Sequence, residues 1–246
     1  LPGNRIFLDN FNDGNVYTPP NIADYRQHSW QTRDHGAGQV RWSIAEVPGE
    51  NFNPFTLKGE MVSLGGYSCG EDNELWYIKG LVPRNFDEDD VVIMYRYQLL
   101  DDGENDNPTT LLMGNYQANG NPAQDQAYVI WVNYQNRYRL RLGRMNRMNE
   151  PINIDGVFYS EDDWWVGGQI VPANQWYWLG MKITRDMGQT NIAMQTWADG
   201  QAMPEIDDWP TFIDDTEGAL SGGSFGVGLW ADCAQSWYDD FQAYRL

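Results

Sequence analysis

The sequence predicts an all-β protein folded as a two-sheet antiparallel sandwich of the jelly-roll kind, and three observations carry that expectation. Short runs rich in aromatic and β-branched residues alternate apolar with polar, the period-2 pattern of half-buried strands. Helical periodicity is almost absent. Gly, Pro, Asn and Asp punctuate the runs at the spacing of turns, as in sandwiches and jelly rolls.

Strands are expected over Arg5–Phe11, Val40–Ala45, Glu60–Leu64, Leu75–Ile78, Val91–Leu99, Leu111–Tyr116 and Ala127–Tyr134. Further strands are expected over Tyr138–Leu142, Trp176–Thr184, Asn191–Trp197, Ser224–Trp230 and Trp237–Tyr244. Tyr134–Tyr138, Asp186–Gln189 and Asp199-Gly200 read as turns. Asp101–Pro108 is polar enough to be a loop. No Ser/Thr/Pro-rich linker and no fixed-period repeat divides the 246 residues, so a single domain over 1–246 is expected.

Composition narrows the partners. Aromatics at 14% set the chain apart from disordered sequences. A net charge of -19 disfavours a nucleic-acid partner and an anionic membrane surface. No run approaches the roughly 18 apolar residues of a membrane span. A solvated acidic surface accounts for most of the charge. A secreted or cell-surface location is expected, with the oligomeric state open. Cys69 and Cys233 are either free thiols or one disulfide, and are too few and too far apart for zinc.

The two ends of the chain are expected to meet. In Leu8-Asp9-Asn10-Phe11, strand alternation puts Asp9 on the face of Phe11. In Tyr238-Asp239-Asp240-Phe241-Gln242-Ala243, regular alternation puts Asp239 with Phe241 and Ala243. Both carboxylates would then point inward at the core's edge. There they need a cation or hydrogen-bond donors.

A family resemblance enters here. Phe7-Leu8-Asp9-Asn10-Phe11-Asn12-Asp13-Gly14 resembles the first strand of concanavalin A-like lectin/glucanase domains, in particular the laminin G-like branch. Gln175-Trp176-Tyr177-Trp178-Leu179 resembles that branch's Trp-Tyr strand. Thr196-Trp197-Ala198-Asp199-Gly200, with Pro204 and Trp209 downstream, resembles its Trp-x-Asp-Gly hairpin. Gly222–Leu229 and Tyr238-Asp239-Asp240-Phe241 resemble its last two strands. The resemblance covers the first fifteen or so residues and most of Gln175–Leu246, while Gly49–Gly168 carries no signature. It implies a concanavalin A-like jelly roll and a structural calcium where the terminal strands meet. Asp9 and Asp239 would be ligands, with Asn10, Asn12, Asp13 or Asp240 beside them. The alternative is that these acids cap turns or accept from backbone amides.

Aromatic residues suggest the partner. Twelve Trp and fourteen Tyr exceed the needs of a core this size, and sugar rings pack their C–H faces on indoles and phenols. In Tyr128–Tyr134, Ile130 and Val132 point inward and leave Trp131 and Asn133 opposite. In Trp176–Thr184, Tyr177, Leu179, Met181 and Ile183 are core and leave Trp178 and Lys182 opposite. Arg137, Arg139, Arg141, Arg144 and Arg147 cluster in a chain with only 16 Lys plus Arg. Were Trp131, Asn133, Arg139, Arg141, Arg96 and Gln98 to line one concave sheet, with Tyr116 and Trp178 nearby, the groove would suit an anionic polysaccharide. The competing reading pairs these arginines with the chain's many Asp and Glu.

Catalysis is left open. The glucanase pattern Glu-x-Asp-x-x-Glu is approached only by Glu205-Ile206-Asp207-Asp208-Trp209-Pro210, which lacks the final acid. A lyase acting on a uronate would need a charge neutraliser, a base and an acid, roles open to Arg96 and Gln98, to His28 or His35, and to Tyr116, Tyr134 or Tyr138. The leading expectation is lectin-like polysaccharide binding. The alternatives are a polysaccharide lyase and an adhesin or structural domain that binds protein.

Overall fold

Alternation sorts Tyr95-Arg96-Tyr97-Gln98 into two tyrosines facing one way and a polar pair facing the other, and the same sorting recurs through the molecule. The computed structural model describes residues 4–11, 30–34, 39–47, 55–62, 79–83, 86–100, 109–119, 125–133, 139–145, 173–215, 217–229 and 235–246. Fourteen strands occur among them: β1 (Asn4–Asp9), β2 (Trp30–Asp34), β3 (Gln39–Glu46), β4 (Phe55–Val62), β5 (Lys79–Pro83), β6 (Val91–Leu99), β7 (Thr109–Gln117), β8 (Gln126–Asn133), β9 (Arg139–Met145), β10 (Trp176–Asp186), β11 (Gln189–Ala198), β12 (Thr211–Asp214), β13 (Ser224–Leu229) and β14 (Gln235–Arg245).

They form two antiparallel sheets. The eight-stranded sheet runs β12-β11-β10-β6-β14-β4-β3, with β1 also pairing β14. The six-stranded sheet runs β2-β5-β13-β7-β8-β9. Strand β14 is the organiser. One edge pairs with β6, and the other is shared between β4, over residues 235–238, and β1, over residues 241–245. The first and last strands therefore do meet.

Three strands, β2, β5 and β12, escape the sequence reading. β2, Trp-Gln-Thr-Arg-Asp, is polar and follows no turn signal, and β12 is four residues long behind Pro210. β4 starts at Phe55, ahead of the expected Glu60, and β5 at Lys79, while the expected strand at Leu75–Ile78 lies outside the described residues. No described helix is long and apolar enough to cross a membrane.

The space between the sheets is filled by aromatics. Tyr95 and Phe225 each stack on Phe241, with centroids 5.1 and 5.3 Å away and planes 13° apart. Phe7 meets Trp30 and Phe225 edge-on. Each large apolar side chain buried here stabilises the fold by about 1.5–3 kcal/mol relative to exposure. Two further apolar layers lie on the outer sides. Val82, Leu111, Met113, Val129 and Trp131 form one outside the six-stranded sheet. Val92, Met94, Ala193 and Trp197 pack with Ile206 and Trp209 outside the eight-stranded sheet. There the segment after β11 folds back through a single 3-10 turn, Ile206–Asp208, and Trp209 Nε1–H donates to the Pro204 carbonyl at 3.2 Å. The β10–β11 hairpin closes on Met187 and Gly188, at φ 47 and 86, the two positive values that a tight two-residue turn requires.

A close approach tests the packing of that returning segment. A Cβ added at Gly180 would lie 2.4 Å from Cη2 of Trp209, a rigid ring packed on Trp197. Gly180→Ala is expected to lower stability by about 1–3 kcal/mol, read as a shifted urea midpoint. An unchanged midpoint would mean that Trp209 does not lie on the sheet.

Candidate functional site

The site begins with a defect in β14. Between Asp239 and Gln242 the register against β6 slips by one residue, a bulge in which Asp240 sits at φ 48. The extra residue inverts the alternation. Tyr238 and Phe241, three apart, both face the core, and Asp239 faces outward, where Arg96 Nη2 donates to its Oδ2 at 2.8 Å. Asp9 faces the other way. Its Oδ2 accepts from Trp30 Nε1 at 2.7 Å and its Oδ1 from the Phe11 amide at 2.9 Å, against the aromatic core.

Asp9 and Asp239 thus lie on opposite faces of the sheet, and the donors described on them are indole, amide and guanidinium groups. Asn10 follows Asp9 at the end of β1, and the Asp240 amide donates to Asp239 Oδ1 at 2.8 Å. The described residues hold no group of three His, Cys, Asp or Glu side chains placed to hold a metal ion.

On the outer face of the eight-stranded sheet, register builds two rows. Trp176, Gln98, Trp237 and Lys58 are cross-strand neighbours in one row over β10, β6, β14 and β4. Trp197, Trp178, Arg96 and Asp239 form the next row. The indoles of Trp176 and Trp237 lean toward each other over Gln98, with centroids 6.3 Å apart, and both remain partly exposed while Gln98 is buried. Arg96 lies 4.4 Å over the Trp176 ring, and its Nη1 donates to Asp199 at 3.3 Å. Asp199 also accepts from Trp178 Nε1 at 3.0 Å, and Trp178 stacks on Trp197 with planes 6° apart. The Trp-x-Asp-Gly hairpin thus places its Asp as a clamp on this face.

The groove proposed from sequence is divided between two sheets. Trp131, Asn133, Arg139 and Arg141 do fall together, since Trp131 pairs with Arg141 and Asn133 with Arg139, but they do so on the six-stranded sheet. Arg96 and Gln98 lie on the outer face of the other sheet. Trp131 is on the expected side of its strand but only 1% exposed, sealed in the outer apolar layer, so it presents no ring to a ligand. Tyr116 is buried as well, with its hydroxyl donating to Asp125. Of the expected binding residues Trp178 is on the two-row face, together with Arg96 and Gln98. His28, His35, Tyr134, Tyr138, Cys69 and Cys233 lie outside the described residues, as do the side chains of Asn133, Arg139 and Arg141. The competing reading of the arginines fits the two that are described in full, because Arg96 pairs with Asp239 and Arg144 with Asp214.

Trp176, Trp237, Lys58 and Asp199 were missed as site residues. Trp176 was within reach, being two residues before Trp178 on an alternating strand. Trp237 was masked by the misplaced Asp239, whose outward direction it shares.

Burial pushes the Asp239 carboxyl up to about 7, the neighbouring Asp240 charge adds to the rise, and Arg96 opposes it. The folded protein then binds a proton at Asp239 that the unfolded chain releases near the ordinary value of 3.8. This group's stabilising contribution is fully present below pH 3.8 and is lost as pH rises through about 7. The stability of the wild type minus that of Asp239→Asn should therefore fall between those limits. Urea titrations at several pH values check this; a difference that rises with pH would contradict it.

No protein-family model matches the chain, and no curated protein matches it. Among solved structures the chain is similar to lectin II from Ulex europaeus, at 8% identity and TM-score 0.44, with 98% of this chain and 99% of that one covered. It is similar to the carbohydrate recognition domain of Emp46p, at 10% identity and TM-score 0.45, with coverages of 99% and 98%. It is also similar to the alginate lyase Aly36B in complex with an alginate tetrasaccharide, at 10% identity and TM-score 0.48, with coverages of 98% and 96%. None of these singles out the laminin G-like branch. The chain's own sheets, with the first and last described strands paired, make it a two-sheet antiparallel sandwich.

Proposed function

We propose that this chain is a carbohydrate-binding, lectin-like domain that holds a polysaccharide on the outer face of its eight-stranded sheet. One observation carries the reading: two partly exposed indoles, Trp176 and Trp237, meet over Gln98 in a row that continues to Lys58. Indole faces take up the C–H faces of sugar rings, and the surrounding polar groups are of the kinds that bond hydroxyls. Among the described residues Trp237 Nε1–H is covered and has no hydrogen-bond partner.

Rigidity supports the same reading. Trp176 is braced by Arg96, and Trp178 by Asp199 and Trp197. Side chains ordered before the ligand arrives spare the roughly 0.5–1.5 kcal/mol that ordering each would cost on binding. In the elimination reading Arg96 would have to leave Asp239 and Asp199 to neutralise a uronate carboxylate, which would leave that role to Gln98. Binding on this face is proposed to run through the indoles, and calcium between the terminal strands is a separate proposal, because Asp9 faces the core and not this face.

Trp176→Ala and Trp237→Ala should each weaken glycan binding by about 1–2 kcal/mol, roughly tenfold, in affinity gels or calorimetry over a broad glycan panel. EDTA should leave the affinity unchanged, and no unsaturated product should accumulate. Failure on every glycan would favour a protein-binding adhesin, and product release would favour the lyase.

A further inference from the structure

Resting on that reading of the face, we infer that it takes uncharged glycans and turns away polyuronates and sulfated chains. Recognition of a carboxylate or sulfate calls for Arg or Lys donors directed at the ligand, bidentately where Arg is used. Arg96 is directed elsewhere. Its Nη2 lies 2.8 Å from Asp239, its Nη1 3.3 Å from Asp199 and its Nε 3.9 Å from Asp240, while its plane covers Trp176.

Other cations of the face also have carboxylates beside them. Lys58 Nζ lies 3.5 Å from Glu60, and Arg41 is directly across from Glu60 in the β3–β4 pairing. Lys182 Nζ lies 3.1 Å from Asp207. An anionic sugar would compete with a protein carboxylate for each of Arg96, Lys58 and Lys182. Displacing Asp239 would strand it in a setting where it is 1% exposed. The chain's net charge of -19 adds a repulsive field that a polyanion meets before contact. A neutral chain meets neither obstacle, because the C–H faces of its rings need only the indoles.

The test uses the whole chain at neutral pH and low salt, with neutral probes (mixed-linkage β-glucan, xylan, galactomannan) and anionic ones (alginate, polygalacturonate, carrageenan). At least one neutral glycan should bind tenfold or more tightly than any anionic one, and the gap should narrow as salt is raised. Asp240→Asn and Asp199→Asn should each raise affinity for the anionic probes several-fold. Both are mild changes: Asn tolerates the left-handed backbone at position 240, and its amide oxygen can still accept from Trp178 Nε1. Tighter binding of an anionic probe, abolished by Trp176→Ala and Trp237→Ala, would overturn the charge inference and keep the face. If no probe binds, or if the two Trp variants bind every probe as the wild type does, the reading of the face fails and the inference fails with it. Circular dichroism on each variant separates lost binding from lost fold.

Discussion

One extra residue in β14 governs much of the molecule. A strand that keeps strict alternation must put residues 238, 240 and 242 on one side, and inserting a residue reverses every side chain beyond it. At Asp240 the backbone takes φ 48, a conformation that Asp and Asn adopt more readily than bulkier residues. Tyr238 and Phe241 can then both pack on Tyr95, and Asp239 is left outside opposite Arg96. From there the dependence runs outward: Asp239 holds Arg96, Arg96 lies on Trp176, and Trp176 leans toward Trp237. A second bulge, at Asn115 with φ 46, does similar work in β7, where the Asn115 amide donates to the Leu220 carbonyl.

The acidity of the chain is more than a solvated coat. Several carboxylates serve as fixed internal acceptors. Asp9 takes the Trp30 indole, Asp125 the Tyr116 hydroxyl, and Asp214 the Tyr128 hydroxyl at 2.6 Å. Asp214 also meets Arg144 of β9, which ties the edges of the two sheets together. Asp87 and Asp89 accept from the Gly223 and Gly222 amides, where the chain turns into β13 at positive φ. A buried carboxylate is tolerable where donors surround it. In this chain indoles, phenols and backbone amides supply many of those donors, so the acids require few cations.

What the sequence disclosed follows from the same pleat. Alternation correctly separated Ile130 and Val132 from Trp131, and Tyr177, Leu179, Met181 and Ile183 from Trp178 and Lys182. The turn at Met187-Gly188 and the meeting of the terminal strands were legible too. Alternation is silent about which strands become neighbours. β6 pairs with β10 and β14, both distant in sequence, and nothing local in Arg96 or Trp131 shows that they belong to outer faces of different sheets. The bulge was equally hidden, because Asp239-Asp240 reads as ordinary strand until Tyr238 and Phe241 are both required in the core. Trp131 also shows that an outward-facing aromatic need not be exposed, since the sandwich carries additional apolar layers on its outer sides.

Arg96 makes the division of labour explicit. On a face built to grasp anions, a guanidinium would offer its edge to solvent and leave the aromatics to pack around it. Here the edge is turned to Asp239 and Asp199, and the flat side covers an indole. Such a cation–π contact is worth about 0.5–2 kcal/mol, depending on how far water is excluded. Its direct effect is to hold the Trp176 ring in one orientation while the carboxylates cancel the charge that brought it there. Electrostatics on this face therefore serve shape. The cation is present because a flat aromatic surface, standing on a twisted sheet, needs a rigid brace.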